Sequence, residues 1–468
     1  MSYRKASPQL VFSNFRLSST SCLMRFPVSR FTLSVALLLL AACTEQKNPQ
    51  TKQSQSARPA LAADTVAAAL SPKPTRPDTA YVQDVAAYLA GQPVSSPSAL
   101  RALTMQPTWQ AFAADADKSW TQYHATRTNK VEQWAATELD SVRANSPTIF
   151  YPFSGPDLLN AVTMFPDSKT YVLLGLEPVG SVPRRNTLEN PKLFPALKAS
   201  LWSVLNFSFF RTNDMAVELN SKKLNSSSKP ERGGAIQKVV ANSSAATDST
   251  SKARSKISAM PKPVMLDGVL PVMMLFATRT GHQVQNVRYV QLNTEGQLTD
   301  ADSIVIQKPG ANVIPGVELT MLNKAGIEQK VYYFSADISD WKMGSNKDAV
   351  IQFAKSLGEL TTYVKSATYL MHKQYFSKVR NLILERSNYV LQDDSGIALK
   401  YFRPSDWQLT YYGTYKRPIN LFAKHYQPDM TMAYADTINR ARPLPFGTGY
   451  NWRQNDSNLL LARRQKSL

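Results

Sequence analysis

A chain of 468 residues, 43% of them hydrophobic, is long enough to bury one large core or two joined cores. The formal net charge of +20 is unevenly spread: residues 1–43 carry five basic and no acidic side chains, and residues 221–262 carry nine basic and two acidic ones. Since much of the excess lies outside the segments with a globular pattern, the high basicity does not indicate a nucleic-acid-binding protein, and nucleic acid is not an expected partner.

The N-terminal segment has the pattern of an export signal. Residues 31–42 form a run of 12 apolar and small side chains, which is too short to span a bilayer as a helix and suits the apolar region of a signal peptide. Met24 is an alternative start. Residues 24–42 would then form a compact signal, with Arg25 and Arg30 as its basic end.

Leu40, Ala41, Ala42 and Cys43 end this run, and together they resemble the lipobox of bacterial lipoproteins. In that family the signal is cut before the cysteine, which then carries the lipid. The resemblance implies lipidation at Cys43 and a protein anchored in the bacterial cell envelope. Thr44 stands where enterobacterial relatives retained at the inner membrane have aspartate, which favours the outer membrane, facing the periplasm.

The cysteine count restricts the chemistry of the mature protein. Cys22 and Cys43 are the two cysteines of the chain. If translation starts at Met24 and Cys43 is acylated, the mature domain has no free thiol. A cysteine nucleophile, a cysteine-ligated zinc ion and a structural disulfide are then all excluded.

Composition divides the chain into five parts. Residues 1–43 form the signal region, and residues 44–78, rich in Gln, Ser, Pro, Thr and Ala, are predicted to be a disordered tether. Residues 79–217 hold a helical arm and a first α/β segment. Residues 218–262 are rich in Ser, Lys, Ala and Asn, so we predict a disordered insertion there. Residues 263–462 form a second α/β segment, which we assign to the same domain.

The predicted elements alternate between helix and strand. Helices are predicted at 81–90, from 98 to the residue before Pro107, and at 108–139; then come a strand at 148–153, a helix at 158–165, a strand at 171–176, helices at 191–210 and 268–280, a strand at 287–292, a hairpin of 316–322 with 329–335, helices at 347–366 and 373–387, and strands at 388–392, 397–402 and 408–415. The tail ends on the apolar run 459–461. This order predicts an α/β fold with a Rossmann-like mixed sheet flanked by helices.

The stretch 148–180 carries the strongest signal for a ligand. Its two apolar strands suit burial on both faces, as in a parallel βαβ unit. Ser154, Gly155 and Asp157 lie in the turn before its helix, with Ser154 placed to cap that helix, and Glu177 ends the second strand, 22 residues after Gly155. A glycine turn at a helix N-terminus and an acid after the next strand are what a ribose-phosphate ligand needs.

This stretch of 33 residues resembles the first unit of class I S-adenosylmethionine-dependent methyltransferases. In that family the glycine turn holds the cofactor and the acid binds ribose hydroxyls. The resemblance implies the first role for Gly155 and the second for Glu177. One glycine stands where two or three are expected, and Pro156 and Asp157 lie where the backbone should approach the ligand. The interpretation we favour is therefore a scaffold whose cofactor site is lost, with no cofactor; S-adenosylmethionine is the alternative.

Other catalytic patterns are weak. The histidines, His124, His282, His372 and His425, form no H-x-H or H-E-x-x-H spacing, so we expect surface or hydrogen-bonded histidines and no metal site. No G-x-S-x-G motif is present.

Two features of the C-terminal half could bind a ligand. Asp393 and Asp394 could act as paired carboxylates, but they also suit a hairpin turn, which is the interpretation we favour. Aromatic and basic residues interleave over 401–417, ending on Arg417, in a pattern that suits sugars, nucleic acids or anionic glycans but is also ordinary in sheets.

Three functions stay open. The first, which we favour, is a lipid-anchored envelope protein that binds an envelope glycan or protein, or acts as a scaffold, without catalysis. The second is a methyltransferase-like enzyme in the cytoplasm, and the third is a hydrolase of an envelope glycan. The hydrolase would use two carboxylates among Asp157, Glu177, Asp393 and Asp394. Convergence of Ser154, Asp157, Glu177 and Arg417 on one pocket would favour a ligand site.

Overall fold

The structure, a computed structural model, describes residues 77–195, 197–198, 266–302, 312–452 and 456–465, all within one compact unit. The signal region, the tether up to residue 76, residues 199–210 of the predicted 191–210 helix and the insertion 218–262 lie outside the described residues.

Ten strands of the described chain form one mixed sheet. They are β1 (Thr148–Tyr151), β2 (Thr170–Gly175), β3 (Gln283–Leu292), β4 (Leu298–Asp300), β5 (Ile314–Leu322), β6 (Glu328–Ser335), β7 (Leu360–Val364), β8 (Ser387–Gln392), β9 (Trp407–Gly413) and β10 (Asn458–Arg464). Their spatial order is β4-β3-β5-β6-β2-β1-β7-β8-β10-β9. The five strands from β6 to β8 are parallel, and antiparallel strands extend both sides. The predicted α/β class with a mixed sheet is confirmed.

The parallel strands run through both halves of the sequence. β1 and β2 come from the first α/β segment and lie between β6 and β7 from the second. If the five parallel strands are numbered by their order in the chain, their spatial order β6-β2-β1-β7-β8 is 3-2-1-4-5. The strand order of dinucleotide-binding folds, 3-2-1-4-5-6, contains the same five-strand arrangement. The strand order reverses between β1 and β7. In open α/β sheets, ligands bind at the carboxyl ends of the strands at such a switch point.

Twelve α-helices of the described residues flank the sheet. They are α1 (Thr79–Leu89), α2 (Arg101–Thr104), α3 (Pro107–Tyr123), α4 (Asn129–Glu138), α5 (Asp140–Arg143), α6 (Leu158–Met164), α7 (Arg185–Leu188), α8 (Leu270–Arg279), α9 (Asp340–Ser345), α10 (Ala349–Ser356), α11 (Ser377–Arg386) and α12 (Pro428–Ala435). Two hydrophobic clusters cover the two faces of the sheet, one with α1, α3, α4, α6 and α8 and the other with α10 and α11. None of the described helices combines the length and the apolar character needed to cross a bilayer.

The helical arm packs on the rest of the unit through its tryptophans. One turn of π-helix, His124–Thr128, joins α3 to α4. The ring of Trp120 meets Phe276 edge-on, with centroids 6.2 Å apart. Trp134 packs edge-on against Tyr412 at 4.9 Å and Phe446 at 5.4 Å.

Two predicted elements of the second α/β segment are wrong. The helix predicted over 347–366 ends at Ser356, and the chain then passes through Gly358 (φ 82°) into the central strand β7. Because β7 has only five residues, the spacing of its Leu360, Tyr363 and Val364 also fits one more turn of helix. The strand predicted over 397–402 is instead the single 3-10 turn Leu399–Tyr401. Asp393 and Asp394 are therefore not in a hairpin turn, and β8 pairs with β10 instead.

Candidate functional site

The loops after β1 and β7, on either side of the switch point, contain strained backbone. Phe153 (φ 61°), Ser366 (54°), Thr368 (52°) and Tyr369 (54°) lie in the left-handed region. They are four of the six described residues other than glycine with positive φ. Such conformations cost about 1–3 kcal/mol each and cluster at functional sites. The carboxyl edge of the sheet beside β1 and β7 is therefore the candidate site.

Asp157 and Lys365 form a buried ion pair across this edge. Lys365 Nζ lies 2.9 Å from Asp157 Oδ2, and the two side chains are 1% and 3% exposed. The Tyr151 hydroxyl donates to the same Oδ2 at 2.8 Å. Asp157 Oδ1 accepts from the Asn160 backbone N–H at 3.3 Å and its side-chain amide at 2.7 Å. The residue that caps α6 is therefore Asp157, and the prediction that Ser154 caps this helix is wrong.

Ser154 instead joins the loop after β1 to β2. Its hydroxyl accepts from the backbone N–H of Leu174 at 3.1 Å and can donate to the Leu174 carbonyl at 3.2 Å. The Gly155 N–H donates to the same carbonyl at 3.2 Å. Because Ser154 is 5% exposed and bonded to the chain itself, its role in this structure is to position the glycine turn.

Glu177 lies directly over that turn. A Cβ added to Gly155 would lie 3.2 Å from Glu177 Oε1, and one added to Gly175 would overlap with Oε2. The Tyr333 hydroxyl donates to the Glu177 carbonyl at 2.8 Å and to Oε2 at 3.3 Å. Burial, and then the Glu177 charge, raise the pKa of Tyr333 well above its usual value. The structure thus brings together Gly155 and Glu177, with the carboxylate half-buried on the turn.

Asp393 follows β8 and is 1% exposed. It accepts hydrogen bonds from the N–H of Ser366 at 2.9 Å, the N–H of Ser395 at 3.0 Å and the Ser395 hydroxyl. Burial raises the pKa of Asp393 against the lowering effect of these donors and of Lys365. The C-terminal segment crosses above it, since a Cβ on Gly449 would collide with Asp393 Oδ2.

Asp394 is held by three other parts of the chain. Asn458 donates to its Oδ1 at 3.1 Å, and the Asp394 N–H donates to Asn458 Oδ1 at 2.8 Å. The Tyr369 hydroxyl donates to Oδ2, and Gln427 donates to the backbone carbonyl at 3.2 Å. Burial, and then repulsion from Asp393, raise the pKa of Asp394 to about 7.

The candidate residues fall into two neighbouring groups. Asp157 and Asp393 both interact with Lys365, and Asp394 follows Asp393. Ser154, Gly155 and Glu177 form the second group on the β2 side. Arg417 is exposed and makes no ion pair with the described members of either group.

Lys365 and Tyr369 were missed because they follow the strand that was predicted as helix. The signal that could have found them is Thr361, Thr362 and Val364, a β-branched run followed directly by a charged residue.

The histidines differ from one another. His124 is exposed and bonded to Thr128 at 2.9 Å, and His282 is bonded to Thr280 at 2.9 Å, as expected of surface and hydrogen-bonded histidines. For His372 that expectation is wrong, because its Nε2 is buried without a hydrogen-bond partner. The described residues contain no group of three histidine, cysteine or acidic side chains arranged to hold a metal ion.

A comparison of the chain with protein-family models, with curated proteins and with solved structures finds no match in any of the three.

Proposed function

We propose that the protein is an envelope lipoprotein, held at the membrane by lipid on Cys43, whose α/β unit binds a partner or acts as a scaffold without catalysing a reaction. The observation that carries this proposal is the buried pair of Asp157 and Lys365 at the switch point. The sequence around Cys43 supports the anchor, and the pair supports the loss of a nucleotide site.

The buried pair leaves no room for an anionic cofactor group at its usual place. In dinucleotide-binding folds the phosphates meet backbone N–H groups at the helix start after the first strand. Here the Asp157 carboxylate supplies the negative charge at that place, and Lys365 neutralises it. Gly449 lies directly above Asp393, and the Tyr450 hydroxyl donates to the Ser366 carbonyl at 2.8 Å. A cofactor would have to displace this segment and separate buried charges, which costs several kcal/mol.

The test is a binding titration of the full chain with S-adenosylmethionine and with NAD. We expect no saturable binding of either compound by calorimetry, because the crevice is filled by the chain itself. Saturable binding that Glu177→Gln weakens, and that Glu328→Gln at an exposed position leaves unchanged, would overturn the loss of the nucleotide site.

The second candidate is a methyltransferase-like enzyme, and two observations favour it. The five parallel strands have the dinucleotide-binding order, and Glu177 lies over the glycine turn, where an acid can bind ribose hydroxyls. This candidate predicts the opposite titration result, with S-adenosylmethionine binding that depends on Glu177.

The glycan hydrolase stays the third candidate, and burial argues against it. A hydrolase of this class needs two carboxylates that both water and a sugar can reach. Asp157, Asp393 and Asp394 are all buried, and each is bonded to other parts of the chain.

A further inference from the structure

Arg380 is a buried cation without a counterion. It lies on α11 and is 6% exposed. Its Nη1 donates to the carbonyls of Met371 at 2.7 Å and Lys373 at 3.1 Å, while its Nε is buried without a partner. No carboxylate among the described residues forms an ion pair with this guanidinium. Buried charges are normally paired, because desolvation of a lone ion is strongly unfavourable. The charge of Arg380 is therefore met by two carbonyls and by the ring of Tyr401, 4.1 Å from its Cζ, and not by an acid.

His372 lies between the two residues whose carbonyls Arg380 binds, and it also lacks a partner. Its Nε2 is buried without a hydrogen bond. The ring packs perpendicular to Tyr369 at 5.2 Å and to His425 at 5.7 Å. Burial, and then His425, Lys400 and Arg380, lower the pKa of His372 to about 3. The imidazole is therefore neutral at pH 7, with one N–H donor and one acceptor nitrogen.

Two lysines lie near this imidazole: Lys373 follows it in the chain, and the charge of Lys400 contributes to lowering its pKa. Arg380 Cζ and Lys400 Nζ lie 4.1 Å and 5.2 Å from the ring centroid of Tyr401, and Lys373 Nζ lies 5.6 Å from that of Tyr375. Lys400 is exposed and Lys373 is half-buried, so both ammonium groups are open to solvent. Neither lysine has an ion-pair partner among the described residues. Arg380 and Lys400 thus share the ring of Tyr401, and no acid among the described residues pairs with either of them or with Lys373.

We propose that Arg380, His372, Lys373 and Lys400 form a binding site for a phosphoryl group. The cluster suits a phosphate dianion better than a carboxylate, because three positive charges exceed what a single negative charge can balance. The phosphoryl group could come from free phosphate esters or from the headgroup of a phospholipid. This site depends neither on lipidation of Cys43 nor on whether the nucleotide site is lost.

The test is calorimetric titration of the full chain with inorganic phosphate and with dihexanoyl phosphatidic acid below its micelle concentration. We expect saturable binding of at least one probe. Arg380→Met should weaken the binding of that probe about tenfold, because a charge-assisted interaction is lost. Lys400→Ser should weaken it about two- to fivefold. If the lipid binds more tightly than inorganic phosphate, the ligand is a lipid headgroup. If it binds equally or more weakly, the ligand is a soluble phosphate. Lys324→Ser, which removes the same charge at an exposed turn between β5 and β6, is the matched control.

Three outcomes would overturn the site: no binding of either probe, equal losses in Lys400→Ser and Lys324→Ser, or binding unchanged by both Arg380→Met and Lys400→Ser. Because Arg380 is buried, its variant could lose the fold. The exposed Lys400 variant keeps the fold and decides the matter alone in that case.

Discussion

Lys365 Nζ lies 2.9 Å from Asp157 Oδ2, and neither side chain is more than 3% exposed. The two residues follow different strands, β7 and β1, so the pair closes the switch point from both sides. A buried pair of this kind is costly to form, and removing one partner is costlier still because a lone charge stays behind.

Lys365→Met should therefore lower the free energy of unfolding by about 3–5 kcal/mol, since it leaves Asp157 buried and unpaired. The double variant Lys365→Met with Asp157→Asn should be more stable than Lys365→Met alone. Urea denaturation measures both. Lys355→Met is the control, because Lys355 forms a partly exposed pair with Glu385 at 3.2 Å that contributes about 0–1 kcal/mol. Equal losses at Lys365 and Lys355 would show that the pair is not buried as described.

Gly449→Ala should destabilise the protein more than Gly326→Ala. Both glycines have positive φ, 65° and 76°, so both variants carry backbone strain of about 1–2 kcal/mol. At Gly326 a Cβ meets nothing within 4 Å, whereas at Gly449 it collides with Asp393. Overpacking there should add about 1–3 kcal/mol, which thermal denaturation can measure. Equal effects would mean that the C-terminal segment does not lie on Asp393.

Asp394 should make stability fall as the pH rises from about 4 to 7. Its folded pKa is about 7, above the value of about 3.9 in an unfolded chain, so the folded state binds more protons across this window. The contribution of this group is fully present below about pH 4. It falls by about 1.4 kcal/mol per pH unit between pH 4 and 7, and it is lost above pH 7. Burial raises the pKa of Asp393 as well, so it acts in the same direction.

Urea denaturation of the wild type and of Asp394→Asn at several pH values tests this dependence. The variant should show a shallower decline of the unfolding free energy with pH. Asp429→Asn, at an exposed position of α12, should keep the wild-type slope. An unchanged slope in Asp394→Asn would rule out the raised pKa.

Trp134→Ala should destabilise the fold by about 3–5 kcal/mol, because Trp134 is 5% exposed and packs against Tyr412 and Phe446. Trp341→Ala is the matched control, since Trp341 is 59% exposed and should change stability by less than about 0.5 kcal/mol. Thermal denaturation distinguishes the two. Similar effects would mean that the helical arm is not packed on the sheet.

The sequence predicted the fold best where local pattern and burial agree. β1, α6 and β2 lie within two residues of their predicted bounds, because two apolar runs flank a turn that contains glycine and proline. The antiparallel pair β5 and β6 was predicted for the same reason, because apolar and polar residues alternate along strands that have one buried face.

The rest of the site depends on contacts between distant parts of the chain. β7 is too short to show its period, and its position beside β1 is set by pairing that no local pattern records. Asp393 was predicted as a turn residue because acid-rich turns are common. In the structure it is buried, and Gly449, a residue 56 positions later, lies against its carboxylate. Lys365 could not be paired with Asp157 until β1 and β7 were known to be neighbours.

The most direct measurement is intact mass spectrometry and membrane fractionation of the native protein beside the Cys43→Ala variant. The proposed function predicts that the wild type begins at Cys43, carries acyl chains and is found in the membrane fraction, and that the variant is neither cut nor acylated at this site. A wild-type chain that is uncut, free of lipid and found in the soluble cytoplasmic fraction would contradict an envelope lipoprotein. That result would leave the methyltransferase-like enzyme as the candidate to test.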